Sequence, residues 1–495
     1  MKIIKIILFL ILITFFSAEI VFSQEIGNMR LSMIEGDVQI YTPDTRDWVP
    51  AITNMPLTLD DRIWVPERGR AEVHIKGGIY IRLDSNTSMD ILSTENNFVQ
   101  IFVVKGRIYI NNTRGRNNII QVDTPITSVS VPDNSIVIIE VLANGATEVS
   151  ALRGNVYVES LRGKTLVSSM SSLYIDEDRY ARISPIGPSD EWERWNRQRD
   201  KKLIDYPDSA RYLPEELQEY SYEFTQNGRW EYTRDYGYVW TPTVIISVEW
   251  APYKHGRWVW IRGHYVWIPY ETWGWVPHHY GRWTFIIGIG WCWVPPVRGE
   301  VYWGPGYVAW VYTPYYVGWV PLAPREIYYG YGYYGPWSVN IININIQQVV
   351  IKHDYKNINV RNAVTVIHID KFIKGKDVDY ELKENPFKKE GVKIGPPDIK
   401  PEKETVMPII KTIPESKRPP ERIREIKLED IRKERRRTKD PEASIFKPEV
   451  KPEKMPVEEL DRPRRSVPQQ MHRERSDIEK RLILGIELKR DLILK

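Results

Sequence analysis

Apolar and polar residues alternate in short runs through the first third of the chain. Val38-Gln39-Ile40-Tyr41, Ala71-Glu72-Val73-His74-Ile75 and Ile79-Tyr80-Ile81-Arg82-Leu83 each carry the period of two expected of half-buried strands. Turn signals separate such runs: Gly36-Asp37, Lys76-Gly77-Gly78, Asn144-Gly145, Arg153-Gly154 and Arg162-Gly163. Asn144-Gly145 stands between the apolar run 136–142 and Thr147-Glu148-Val149, which predicts a hairpin. No helical period of useful length occurs before residue 189. Residues 28–185 therefore predict a β-sandwich or a short β-solenoid.

The period then changes. Pro188-Ser189-Asp190-Glu191 opens a helix, with Ser189 placed to cap it and two acids at its positive end. Trp192, Trp195 and Leu203 share one face, so residues 186–227 predict a helical connector packed on a neighbour.

From residue 228 the sequence repeats. Gly228-Arg229-Trp230, Gly256-Arg257-Trp258 and Gly281-Arg282-Trp283 recur at the spacing of stacked supersecondary units. Each is followed by Trp-x-Pro, at Trp240-Thr241-Pro242, Trp267-Ile268-Pro269 and Trp293-Val294-Pro295. A second Trp-x-Pro set stands at Trp250-Ala251-Pro252, Trp275-Val276-Pro277 and Trp319-Val320-Pro321. The stretches between read as strands, and Gly and Pro punctuate their ends, so each unit predicts a β-hairpin. Residues 341–346 and Ala363-Val364-Thr365-Val366-Ile367 add strand candidates that close this second domain near residue 376.

Composition sharpens this division. Of 19 Trp, 17 lie between residues 192 and 337. From about residue 380 the chain is rich in Lys, Arg, Glu and Pro, which cannot bury enough apolar area to offset ordering entropy. Residues 377–495 thus predict a charged, disordered or partly helical tail, with a basic run at 432–437 and a weakly apolar segment at 478–494. The whole chain is mainly β. A net charge of +4 gives no global field for nucleic acid. The single cysteine, Cys292, permits no intramolecular disulfide and reads as a small buried hydrophobe.

The N-terminus predicts export. Lys2 and Lys5 precede an apolar run at 6–16, and Val21-Phe22-Ser23 supplies a cleavage site, so residues 1–23 read as a secretory signal peptide. No later segment has the length and apolarity of a membrane span. The mature chain is expected in the periplasm or at the surface of a bacterium.

The first domain resembles FecR-type periplasmic domains. The resemblance rests on Gly36-Asp37-Val38, Trp48, Leu57, Asp60-Asp61-Arg62-Ile63, Gly69-Arg70-Ala71-Glu72-Val73 and Ile81-Arg82-Leu83. It continues through Gly106-Arg107-Ile108-Tyr109, Val122-Asp123-Thr124-Pro125, Thr147-Glu148-Val149 and Gly154-Asn155-Val156, and covers roughly residues 28–160. It implies a domain that passes an outer-membrane signal to a sigma-factor regulator. The few residues before the apolar run leave no room for a cytoplasmic regulatory segment, so direct anti-sigma activity is not expected. The second domain, from Arg194-Trp195-Asn196 to the segment 357–365, resembles the uncharacterised Trp/Tyr-rich domain that follows FecR domains in exported bacterial proteins. That resemblance names no activity.

Two uses of the tryptophans compete. Large rings give a marginal hairpin a core. Rings left outside would form a stacking platform for glycan. The candidate binding residues for the second use are Trp258, Trp267, Trp275 and Trp283, with Arg257 and Arg282 to hold hydroxyl or anionic groups. Four histidines cluster, His255, His264, His278 and His279, but adjacent His278 and His279 would point to opposite faces of a strand, so no metal site is assigned. No hydrolase, metalloprotease or P-loop motif occurs, and no catalytic residue or cofactor is assigned. The sequence thus predicts a non-enzymatic binding or scaffolding protein of the envelope. Its partners would be cell-wall or surface polysaccharide, or an envelope protein, and neither nucleic acid nor a membrane span of its own. The alternative is a periplasmic signalling component acting with a separate membrane regulator.

Overall fold

A computed structural model describes residues 26–431, apart from 96, 116, 161–162, 177–179, 205–207, 244–248, 344–354, 376–386, 388–392, 427 and 430. The predicted signal peptide, the basic run at 432–437 and the segment 478–494 lie outside the described residues. All that is described belongs to one compact unit, residues 1–446.

The first domain is two antiparallel-rich sheets joined by one long strand, Phe98–Asn112. Its first half pairs with Thr87–Glu95 and, in parallel, with Ile119–Asp123. Its second half pairs with Ile79–Leu83 and Ser135–Val141. The strand changes sheets at Gly106, whose φ of 104° suits glycine alone. A Cβ there would sit 2.4 Å from the Thr87 hydroxyl. Leu31, Val73, Ile81, Ile110, Val137 and Val149 of one sheet pack on Ile40, Ile63, Met89, Ile101, Val122 and Val158 of the other. That is a sandwich core, built from the inward positions of alternating strands. The hairpin predicted at Asn144-Gly145 joins Ser135–Val141 to Thr147–Arg153.

The helix Glu191–Ile204 lies on the first sheet, with Trp192 against Tyr109 and Ile138. Its cap differs from the expectation. The chain is helical from Glu191, so Asp190 holds the cap position and its carboxylate accepts the Glu193 N–H at 2.7 Å. Ser189, one residue too early, instead bonds the Glu193 side chain at 3.1 Å.

In the second domain the hairpins form as the spacing predicts. The first is Gly228–Thr233 with Gly237–Pro242 and the second is Gly256–Ile261 with His264–Pro269. The third is Arg282–Ile286 with Gly290–Val294 and the fourth is Val308–Tyr312 with Tyr316–Pro321. The first and third join edge to edge through Trp240 and Trp293. The fourth is extended on one side by Thr365–His368 and on the other by Lys393–Ile394. Residues 341–346 do not supply a strand where described: Ile341–Asn343 is a 3-10 turn.

Part of the segment assigned to the tail is packed. From Lys393 to Ile426 the chain crosses from the second domain onto the first, where Ile423 is buried against Trp48, Trp64 and Phe102. Its charged composition gave no sign of this, because the order comes from partners more than 300 positions away, such as Trp64 353 residues before Lys417.

Candidate functional site

Within each hairpin one tryptophan stands directly opposite another. The pairs are Trp230 with Trp240, Trp258 with Trp267, Trp283 with Trp293 and Trp310 with Trp319. In the first two hairpins the motif glycine lies opposite the motif proline, Gly228 with Pro242 and Gly256 with Pro269. The second indole then lies over the glycine α-carbon. A Cβ on Gly228 would meet Trp240 at 2.3 Å, on Gly256 Trp267 at 2.6 Å and on Gly281 Trp293 at 2.7 Å. The repeat G-R-W with W-x-P is therefore a packing unit: glycine makes room for the ring of the returning strand. Trp319-Val320-Pro321 belongs to this hairpin set by register, with Trp310 its partner. Trp250 and Trp275 stand in the connectors instead.

The candidate glycan residues are in the core. Trp258 is 4 % exposed, Trp267 0 %, Trp275 1 % and Trp283 1 %, which leaves no ring face for a sugar. Arg257 is buried, and its Nη2 donates to the Glu404 carbonyl at 2.6 Å. Arg282 lies over the Tyr307 ring at 3.7 Å. The physical reason is the pairing: a Trp on each strand of a thin hairpin fills its inner face, and neighbouring hairpins cover it.

His278 and His279 are not on a strand. They end the short helix Trp275–His279, and both are fully buried. Burial lowers the pKa of each, to about 3 for His279. Their Nδ1 atoms bond the Gly274 and Gly304 carbonyls, each at 2.8 Å. Among the described residues no group of three or more His, Cys, Asp or Glu converges on a metal-sized site. Cys292 is buried with its thiol pushed up to about 12, as a small core residue.

Several displaced titrations belong to a polar network that fastens the first domain to the connector and to the second domain. Glu72, 1 % exposed, accepts from Arg82 Nε and Arg199 Nη2, each at 2.7 Å. Burial alone would raise its pKa, but the guanidiniums of Arg199 and Arg82 hold it well below the usual carboxylate range. Arg82 also meets Asp200 at 2.7 Å, and Asp200 accepts the Tyr109 hydroxyl at 2.6 Å. Arg30 pairs with Glu223 and donates to Asn54 Oδ1 at 2.6 Å. Asn54 Nδ2 in turn donates to the Glu271 carbonyl at 2.6 Å. Glu219 accepts the Gly77 N–H at 2.8 Å, and burial pushes its pKa up to about 7. Beside it His74 is held well below its ordinary value by burial and by Arg30. None of Arg30, Asn54 or Glu219 was marked by a motif, because each is set by a neighbour from a distant part of the chain.

A cleft of about 1650 Å³ opens beside this network. Lys76, Arg114, Glu216, Arg298, Tyr302 and Tyr333 stand on its walls.

The exposed apolar residues of the first domain gather on its last strands. Leu166 and Tyr157, 45 % and 43 % exposed, face each other across Gly163–Val167 and Val156–Ser160. Ile183, 54 % exposed, lies on Ala181–Pro185, and Met170 on the intervening turn is also exposed. Gly163–Val167 and Ala181–Pro185 end the hydrogen-bonded strand order, one at each extremity. An end strand offers unpaired N–H and C=O groups to an incoming strand.

Comparison with known proteins finds two family segments. Residues 61–157 match the family described as FecR protein. Residues 221–326 match the family described as Family of unknown function (DUF6600). The chain thus carries a FecR segment followed by an uncharacterised domain. It is also similar to two crystal structures of a candidate anti-sigma factor from Parabacteroides distasonis, each 15 % identical, with 25 % of this chain and 59 % of the other covered and a TM-score of 0.23. The match therefore spans less than two thirds of those solved chains. No curated protein matches the chain. Among the described residues no helix is long and apolar enough to cross a membrane.

Proposed function

We propose that the chain is a periplasmic signalling component that works through a separate envelope protein and carries no catalysis of its own. The observation that carries this reading is the FecR match over residues 61–157. The apolar end strands supply a means of contact: Tyr157, Leu166 and Ile183 offer side-chain anchors beside unpaired backbone groups, the setting for strand addition. The second domain acts as a rigid buttress. Its aromatic core is sealed, Asn54 ties it to the first domain, and Arg30 and Glu219 tie the first domain to the connector. The displaced pKa values of Glu72 and Glu219 are accounted for by burial and by their partners in that network, so these two call for no acid or base chemistry.

A photo-crosslinking residue placed at Leu166 or Ile183 in the native host tests the proposal. The expected result is one dominant adduct with an envelope protein, absent when the crosslinker replaces Ile287, which is 94 % exposed on the second domain. An equally strong adduct from Ile287, or none from Leu166 and Ile183, would overturn it.

A further inference from the structure

The packed part of the tail ends in a groove on the first domain. The segment leaves the second domain at Lys393–Ile394. It passes Tyr265, whose hydroxyl donates to the Ile399 carbonyl at 3.2 Å, and Arg257 at Glu404. It reaches the first domain where Lys411 meets Asp37 at 2.9 Å. Beyond that, Trp48, Trp64, Leu92, Phe102 and Val104 form an apolar floor that Ile423, 2 % exposed, fills.

Three side chains around this floor donate to the main chain of the segment. Trp64 Nε1 and Gln39 Nε2 both reach the Lys417 carbonyl, at 3.0 and 2.5 Å. Arg62 Nη2 reaches the Ile423 carbonyl at 2.8 Å, and its Nη1 the Ile426 carbonyl at 3.2 Å. Both carbonyls lie at the end of the helical turn Glu421–Arg424, and that of Ile423 also accepts the Ile426 N–H at 3.4 Å. Arg62 is itself fixed: its Nε meets Asp90 at 3.1 Å, and its guanidinium lies over Trp48 at 5.5 Å. Arg62 and Asp90 are buried in the first domain, so the donors are positioned by the domain rather than by the segment.

This is how a groove reads a peptide. The donors address backbone, which fixes path and not sequence, and one pocket selects a side chain. The rest of the segment fits the role of ligand. Pro419 and Pro420 preset an extended approach, and Pro420 stands at the start of the turn. Glu421, Arg422 and Arg424 are exposed, and Arg422 Nη1 donates to the Ala143 carbonyl of the first domain at 3.0 Å. Asp37 and Asp47 on the rim favour basic flanks, meeting Lys411 at 2.9 Å and Arg418 at 3.6 Å. Such rim pairs are largely solvated and weak, so the segment is held mainly by its anchor, the three donors and the Arg422 bond to the Ala143 carbonyl.

We infer that this groove is a peptide-recognition site occupied by the chain's own residues 417–426, and that a linear segment of another protein exchanges with it. The fitting segment has a basic flank, two prolines, and then one helical turn with aliphatic residues three apart, as Ile423 and Ile426 are. The groove is separate from the end strands and does not depend on the signalling role.

The test uses the full-length chain carrying Ile423→Asp, which expels the resident anchor, and a fluorescent peptide of residues 414–428 as probe. The expected result is that this variant binds the peptide at least tenfold more tightly than the wild-type chain. Trp64→Phe, which keeps the ring and removes one donor, and Arg62→Met should each weaken that binding, and a peptide with Asp in place of the central isoleucine should not bind. A folded Ile423→Asp chain, verified by circular dichroism, that fails to bind would overturn the inference. So would binding that neither groove variant changes. A wild-type dimer that Ile423→Asp converts to monomer would overturn it too, by placing a second copy's segment in the groove.

Discussion

Trp267 lies directly across its hairpin from Trp258, and the two indoles meet edge to face with centroids 5.3 Å apart. Trp310 and Trp319 are paired in the same register, tilted by 56° with centroids 5.6 Å apart. Such pairs add specific ring contacts to a large area of burial. They let hairpins that would be marginal alone stack into one core, and they explain why the glycine of G-R-W is required: its bare α-carbon is where the opposing ring rests.

Gly281 and Gly237 separate that requirement from backbone conformation. Both have positive φ, 61° and 68°. A Cβ on Gly281 would meet the Val294 carbonyl at 2.4 Å and Trp293 at 2.7 Å, whereas one on Gly237 meets nothing within 4 Å. Gly237→Ala should cost about 1–2 kcal/mol, the left-handed penalty alone. Gly281→Ala should cost about 1–3 kcal/mol more through overpacking. Denaturant unfolding of the two variants checks this. Equal losses would show that the ring contact does not matter.

Much of this fold was legible because its signals are local. Alternation gave the strands of the first domain, Asn144-Gly145 gave a hairpin, and the spacing of G-R-W to W-x-P gave three more. The fourth hairpin was only half visible. Val308, not glycine, stands opposite Pro321 in it, so Trp319 was grouped with the connector phrases Trp250 and Trp275. Adjacent His278 and His279 looked like strand residues, although a one-turn helix carries them inward. The candidate binding residues were misplaced because sequence counts aromatic rings without saying which neighbour covers them. The clamp of Arg30 with Glu223 and the groove of Arg62 with Ile423 join positions hundreds of residues apart, and no local pattern marks either.

Arg30 is the joint most sensitive to a single change. It is 1 % exposed, pairs with Glu223, and reaches Asn54, which holds the second domain through the Glu271 carbonyl. Arg30→Met leaves a carboxylate without its counter-charge at the domain boundary, at a cost of about 3–5 kcal/mol. Scanning calorimetry should show the wild-type transition divide into two as the domains uncouple. Arg30→Met with Glu223→Leu should recover part of the loss. An unsplit, unshifted transition would contradict the clamp.

Glu219 gives the clamp a pH dependence of definite sign. Its folded carboxyl titrates at about 7 against an ordinary 4.5, with burial outweighing the Gly77 N–H, Lys76 and Arg30. The folded state therefore holds this proton more tightly than the unfolded state. The contribution is fully present below pH 4.5 and is lost as pH rises through about 7, to a limit of about 3 kcal/mol. His74 has the opposite sign, since burial holds it below its ordinary value and its contribution is lost as pH falls below 6.5. Both chains of the comparison keep His74, so the stability of Glu219→Gln relative to wild type isolates Glu219. That difference should move in favour of the variant between pH 5 and pH 8. A flat difference would mean that Glu219 ionises normally.

Most tryptophans of the repeats are packed into one aromatic core. Acrylamide quenching of intrinsic tryptophan fluorescence in the native full-length chain tests it most directly. Blue-shifted emission is expected, largely protected from quencher, with a minor accessible fraction from partly exposed rings such as Trp337 at 42 %. Emission near that of free tryptophan in water, quenched as readily as the unfolded chain, would contradict it and return the rings to the surface as candidate ligand contacts.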